Sequence, residues 1–412
     1  MIRRRVVPFV LLLLWLAPSA PFAPATPFTR GVAAAPARSG FSGAPAAPAG
    51  LAGTPAAATS LPSRLSNQEF WRLSTALSEP DGFFRSENLV SNEHTYEYVI
   101  PALQQAARQG QVYLGVAPDQ NFTYMIATQP AMAFIVDIRR GNLLQHLMYK
   151  AIFELSTDRA DFVARLFSKT RPEGLRPDAT VAEIFTAFDR IRLSDEEYQK
   201  RYQDNLSAIK AHLVKTRGFP LTPSDLQHLE EIYYAFFWDG PGIRYSSSNQ
   251  RGFGGRGFSN FPTYEEMMMQ TDWEGEARSY LASEANFKYV KGLEERNLIV
   301  PVVGNFAGPK ALRAVGQYIR EHDAVVSAFY VSNVEQYLFQ DNLWDAFAAN
   351  VATLPVDEKS VFIRSVSSRY GYRGPYQWSD GRASALDPIA ALVADYKAGR
   401  IRSYFDVNAR SK

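Results

Sequence analysis

The sequence predicts an α/β protein: a Rossmann-like, doubly wound, mainly parallel sheet resembling that of methyltransferases, carrying a large helical insertion. Three observations predict it. Five short runs are continuously apolar rather than alternating, as strands covered on both faces are. Helical patterns separate most of these runs, which implies right-handed strand–helix–strand crossovers. The long stretch between the second and third runs holds helical patterns and a loop but no strand pattern.

The chain divides into three parts. Residues 1–23 open with Arg3, Arg4 and Arg5, followed by the apolar run VVPFVLLLLWLA and then small residues. A charged start and a short apolar stretch fit a secretory signal peptide or a membrane anchor. The run is short for a bilayer core of about 30 Å. Pro21 disfavours cleavage after Ala20, so cleavage at Ala23 and retention as an anchor are both open. A retained anchor would leave the body outside, because the arginines favour the cytoplasmic side. The rival reading is an organellar transit peptide. Residues 24–61 are an Ala/Pro-rich tether, too poor in apolar surface to offset the entropy of ordering. Residues 62–412 form the folded body, with the helical insertion at about 156–296.

Composition excludes several chemistries. The 412 residues are 46% hydrophobic and include no cysteine, so disulfides, thiolate nucleophiles and Cys-ligated metals are ruled out. Lack of cysteine suits an oxidising compartment. The net charge is +2, but five arginines and no acid fall in residues 1–60, leaving the rest at −3. That body carries no electrostatic footprint for nucleic acid. The expected partner is a small molecule, with a membrane contacted only through an uncleaved N-terminus.

Along the body, Ser66 to Glu69 reads as a capping box opening a helix that stops before Pro80. A polar stretch, FFRSENLVSNEHT, precedes a helix over 96–109 with Gly110 at its end. The first strand runs from Val112 to Val116 and the second from Ala133 to Ile138. Leu143, Leu144, Leu147, Met148, Ala151, Ile152 and Leu155 give the next helix an apolar stripe. His146 and Lys150 fall on its polar side. Residues 156–240 are helical, ending in YYAFFWDG, whose aromatics read as core. Residues 241–262 form a loop, and Thr263 caps the helix that follows. Leu298 to Val303 is the third strand, and Gly308-Pro309 opens a helix to Glu321. Ala324 to Val331 is the fourth strand. Ser332 to Glu335 reads as a capping box for a helix to Val351, and Val361 to Val366 is the fifth strand.

In such sheets ligands sit at the carboxyl ends of the strands, where the strand order switches. Four polar segments lie there: Gly115 to Asn121, Asp137 to Asn142, Gly304 to Pro309, and Ser332 to Tyr337. Within them Asp119, Gln120 and Asn121 offer donors and acceptors, with an N-cap as the structural alternative for Asp119. Asp137 suits ribose-like hydroxyls, or else an ion pair with Arg139 or Arg140. Asn142 follows on the next helix. Asn305, with Gly308 and Pro309, could offer backbone N–H groups to an anion. Asn333, Gln336 and Tyr337 complete the set, and Ser91, Asn92 and Glu93 are placed to cover the cleft.

Two motifs are set aside. Gly252 to Gly257 spells GxGxxG, but no strand precedes it, so it is not a dinucleotide fingerprint. The five histidines show no metal-ligand spacing, so no metal site is expected.

VYLGVAPDQNF followed by AFIVDIRRGN resembles the start of class I S-adenosylmethionine-dependent methyltransferases. The resemblance implies that Gly115 belongs to the cofactor turn and that Asp137 is the ribose-binding acid. Val116, Ala117, Pro118 and Asp119 depart from that turn. A closer resemblance is to an uncharacterised bacterial family with a methyltransferase-like Rossmann fold, typified by a leptospiral hypothetical protein. FFRSENLVSNE, GVAPDQNFTY, AFIVDIRRGNLLQHLMYKAIFELS, VPVVGNFAGPKALRAVG and AFYVSNVEQYLF carry it. The combined expectation is an exported protein binding a small polar or nucleoside-like ligand. The alternatives are an adenosylmethionine-dependent methyltransferase and a non-catalytic envelope interaction module.

Overall fold

The computed structural model describes residues 61–245 and 261–411. The expected signal, the tether through residue 60 and the GxGxxG stretch lie outside the described residues.

Ser66 opens α1 (Asn67–Leu77) with a complete capping box: its side chain accepts from Glu69 N while Glu69 accepts from Ser66 N. α2 is Ile100–Ala106, shorter than the 96–109 helix expected. Pro101 fixes its start, and Ala107 turns extended at ψ 140°. Gly110 therefore sits in a later turn, at φ +71°. β1 (Val112–Gly115), α3 (Gln120–Thr128), β2 (Met132–Asp137) and α4 (Arg140–Leu155) follow.

Among the described residues six α-helices then precede the next strand: α5 (Arg159–Leu166), α6 (Val181–Asp189), α7 (Asp195–Ala211), α8 (Pro223–Asp239), α9 (Tyr264–Met268) and α10 (Glu284–Glu295). Thr180, Ser194, Thr222 and Thr263 close capping boxes at four of them. The chain returns to the sheet with β3 (Ile299–Val303), α11 (Ala311–Glu321), β4 (Val326–Ser332), α12 (Val334–Gln340), α13 (Trp344–Val351) and β5 (Val361–Ser367). It ends with β6 (Arg382–Pro388), α14 (Ile389–Lys397) and α15 (Tyr404–Arg410).

The strands form one sheet in the order β3-β2-β1-β4-β5-β6. All neighbours are parallel except β5 and β6. The order reverses between β1 and β4, which is the switch point. β1, β2 and β3 are buried at every position, which explains their unbroken apolar runs. β6 was not expected. Its sequence, RASALDP, holds one large apolar side chain, so it carries no strand signal of its own.

Three expectations about the helices are corrected. α4 is buried from Gly141 to Phe153, because α8 and α10 cover the side that faces away from the sheet. His146 and Lys150 are thus 2% and 1% exposed rather than solvated. Lys150 is satisfied by Glu154 at 2.8 Å and by Glu294. α11 starts at Ala311, not at Gly308-Pro309. Its first turn is closed by the Glu79 carboxylate, which accepts from the backbone N–H groups of Asn305, Lys310 and Ala311 at 2.8–3.0 Å. The proposed capping box at Ser332 and Glu335 does not form. Ser332 adopts φ +52°, Asn333 takes the N-cap position, and Glu335 binds Arg364. The helix also breaks at Asn342, φ +56°, into α12 and α13.

Candidate functional site

The carboxyl ends of β1, β2, β3 and β4 open onto a cavity of about 340 Å³. Residues 83–92 cross this edge. Gly82 begins the crossing so close to β2 that an added Cβ would fall 2.4 Å from Ile138, and its N–H donates to Ile138 O at 2.8 Å. Further along, Arg139 holds the carbonyls of Ser86 and Glu87, and Gln145 Nε2 donates to Leu89 O at 2.6 Å. The crossing segment is thereby fixed to the strand ends at several points.

The walls mix apolar side chains, Phe84, Val116, Val136, Phe306, Leu338 and Leu343 among them, with about as many polar and charged ones. Arg85 lies over the Tyr337 ring, 4.9 Å from its centroid, and donates to the Tyr337 hydroxyl at 2.9 Å. Tyr245, Asn88, Ser91 and Asn92 also face the space.

Three lining residues hold a left-handed backbone without being glycine: Asn88, φ +48°, in the crossing segment, Ala117, φ +63°, after β1, and Ser332, φ +52°, at the end of β4. The last two flank the switch point. Strained backbone of this kind persists where the surroundings over-determine it, and it gathers at binding sites. Around Ala117 the determinant is Asn121. Its Nδ2 donates to the carbonyls of Val116 and Pro118, and its Oδ1 accepts from the Tyr113 hydroxyl at 2.9 Å. Around Ser332 the determinant is a break in the β4–β5 register between Tyr330 and Ser332.

Of the residues singled out from sequence, Asp137, Arg139, Asn305, Asn333 and Tyr337 line the cavity. Ser91 and Asn92 do so as well. The remaining ones have other surroundings. Gly115 is glycine because Asn121 occupies the room a side chain would need: a Cβ there would sit 1.9 Å from Asn121 Oδ1. Gln120 bonds Glu93, Tyr124 and Tyr330. Gln336 reaches Tyr370 at 3.3 Å. Asn142 is 1% exposed on α4, with neither amide atom hydrogen-bonded among the described residues. Asp119 makes no cap hydrogen bond. It is buried near the hydroxyls of Tyr264 and Tyr280, and burial pushes its carboxyl up to about 7. His146 stands on the far side of Ala117, 2.9 Å from its carbonyl oxygen, and burial holds the imidazole down to about 4.

The polar strand-end acids are also largely spoken for. Asp137 receives Arg139 N and Nε on Oδ1 and Nη2 on Oδ2, at 2.9–3.0 Å. The pair lines the cavity as a self-neutralised unit. Asn305 Oδ1 accepts from Ala307 N, and its own N–H goes to Glu79. The N–H groups expected to receive an anion near Gly308 are thus given to the protein's own carboxylate.

Sequence reasoning missed Phe84, Arg85, Tyr245 and Tyr330. A pair of phenylalanines inside a polar, turn-rich segment was the available signal for the first two. Among the described residues no three His, Asp or Glu side chains converge to hold a metal ion. No helix among them is long and apolar enough to cross a membrane.

A family model described as a domain of unknown function, DUF7790, matches residues 88–221 and 247–391. The chain belongs to this family. The match begins inside the segment that crosses the cavity and ends just after β6. Comparison with curated proteins returns no match.

Proposed function

We propose that this member of the DUF7790 family binds a small polar, nucleoside-like ligand in the cavity at the switch point of its sheet. The observation that carries the reading is the cavity itself: about 340 Å³, walled by apolar and polar side chains together, with polar groups from the ends of β2, β3 and β4. That volume falls within the range of about 300–1,000 Å³ usual for ligand sites. Phe84, Tyr337 and the Arg85 guanidinium supply flat surfaces for a planar ring.

Methyl transfer from adenosylmethionine is the second reading, within the methyltransferase-like bacterial family that the sequence resembles. The strand order and the place of Asp137 at the end of β2 favour it. The occupied oxygens of Asp137 and the Asn121 side chain beneath Gly115 weigh against it. A non-catalytic interaction module would have no need of the cavity. We also propose export, on the strength of the arginines and apolar run at the N-terminus.

Calorimetry with adenosine, adenosylmethionine and adenosylhomocysteine tests the binding reading. Adenosine is expected to bind, and Asn333→Trp, which fills the cavity, is expected to abolish the heat. If none of the three binds, the nucleoside-like reading fails. Preference for the two cofactor forms over adenosine would favour methyl transfer. Cell fractionation with N-terminal sequencing tests export, which fails if the protein stays cytoplasmic with Met1 intact.

A further inference from the structure

Behind the cavity lies an acid whose charge no basic side chain balances. Glu93 is 6% exposed. Its Oε1 accepts from the Tyr330 hydroxyl at 2.9 Å and from Ser332 Oγ at 2.7 Å. Its Oε2 accepts from Gln120 Nε2 at 3.0 Å and from Ser384 Oγ at 3.5 Å. All four donors are neutral. Among the described residues no lysine, arginine or histidine nitrogen forms an ion pair with it. A buried carboxylate in that state lacks the compensation a cation would give.

The arrangement also fixes the polarity of the cavity wall. A hydroxyl has one hydrogen and two lone pairs. Tyr330 and Ser332 both line the cavity; Ser332 commits its hydrogen to Glu93, and the single Tyr330 hydrogen lies between Glu93 Oε1 at 2.9 Å and Gln120 Oε1 at 3.2 Å. Toward the cavity they can only accept. The carboxylate behind them, 6% exposed, polarises both oxygens.

The other charged groups do not cancel this field. Asp137 and Arg139 neutralise each other. Arg85, engaged with Tyr337, and Asp341 both line the cavity and are both exposed, and their opposite charges offset each other.

We infer that the cavity selects a ligand bearing a protonated amine, seated against Ser332 Oγ and Tyr330 Oη in front of Glu93. The inference rests on reading the cavity as a ligand site, and it names the charge that the ligand carries. The amine N–H groups donate to the two lone-pair faces, and the positive charge supplies what Glu93 lacks.

Two matched sets of probes test it on the full chain by ligand-observed NMR and calorimetry. One is 5′-amino-5′-deoxyadenosine, adenosine and adenosine 5′-monophosphate. The other is benzylamine, benzyl alcohol and benzoate. The amine of a set should bind about tenfold tighter than its neutral partner, with the anion weakest. Glu93→Gln should remove that preference while leaving the neutral probe within about twofold. Ser332→Ala, which keeps Glu93, should reduce it, and guards against a misfolded Glu93 variant.

An amine preference confined to the benzyl set would uphold the inference and overturn the nucleoside-like reading. Preference for the phosphate or the benzoate would overturn the inference and spare that reading. An equal loss for all probes in Glu93→Gln would also overturn the inference. No binding by any of the six would overturn both.

Discussion

Two buried acid clusters at the same edge of the sheet are built on opposite principles. Around Arg364, Glu335 on α12 and Asp387 on β6 both contact one guanidinium, at 2.5–3.0 Å. Arg364 and Glu335 are each 1% exposed, and Arg410 also reaches Asp387 at 3.6 Å, so two carboxylates meet two guanidiniums. Around Glu93 the same burial is met by hydroxyls and an amide alone. The first cluster is closed: it ties α12 to the sheet and has nothing left to offer a ligand. The second is open, and two of its members face the cavity. The difference teaches where a ligand's charge can still be used. Asp137, the acid that strand position alone singled out, belongs with the closed kind, because Arg139 takes both of its oxygens.

The comparison can be broken most forcefully at Arg364. Arg364→Met strands Glu335 in the interior and leaves Asp387 only Arg410 at 3.6 Å, and the expected loss is about 3–5 kcal/mol, measured by urea denaturation. A loss below about 1 kcal/mol would mean that the cluster is hydrated rather than closed.

Asn121→Ala comes next. It removes the side-chain partner of the Val116 and Pro118 carbonyls and of the Tyr113 hydroxyl, leaving Pro118 only a backbone N–H at 3.4 Å. We expect a loss of about 2–3 kcal/mol, together with weaker binding of any cavity ligand as the Ala117 turn relaxes.

Asp119 sharpens the contrast through pH. Its folded-state carboxyl, raised to about 7, holds a proton that the unfolded chain releases near the ordinary carboxylate range. Its stabilising effect is therefore full at acid pH and is lost as pH rises toward 7. His146, lowered to about 4, acts in the opposite sense, adding stability as pH rises from 4 to the ordinary imidazole range. Asp119→Asn removes only the first effect. Relative to the parent, the variant should gain about 1 kcal/mol or more between pH 5 and pH 8, read from melting temperatures at the two values. A constant difference between the two proteins would place an ionised Asp119 in the fold.

The smallest stability effect is expected at Glu93. Glu93→Gln keeps an acceptor for Tyr330 and Ser332, so the loss should be about 1 kcal/mol by the same denaturation assay. A loss as large as that of Arg364→Met would make Glu93 a structural hub, and the contrast would collapse.

Much of the architecture was legible from residue order alone. β1, β2 and β3 declare themselves because both of their faces are covered, so nearly every position is apolar, whereas β4 and β5 carry the buried Ser327 and Arg364 within otherwise apolar runs. The capping boxes at Ser66 and Thr263 are local, and local hydrogen bonding realises them as written. At Ser332 and Glu335 the same motif was legible and failed. Tertiary partners, Glu93 and Arg364, outcompeted the cap for both side chains.

The sequence by itself determined the α/β class, the strand–helix alternation and the strand ends where polar residues gather, since periodicity and burial follow from neighbours along the chain. Only the tertiary structure decided which of those polar groups remain available. Whether an acid's oxygens are filled depends on side chains brought from far away: Glu79 reaches residue 311, and Glu93 reaches residue 384. Hydrogen-bond capacity is finite, and the fold allots it across distances that no local pattern records.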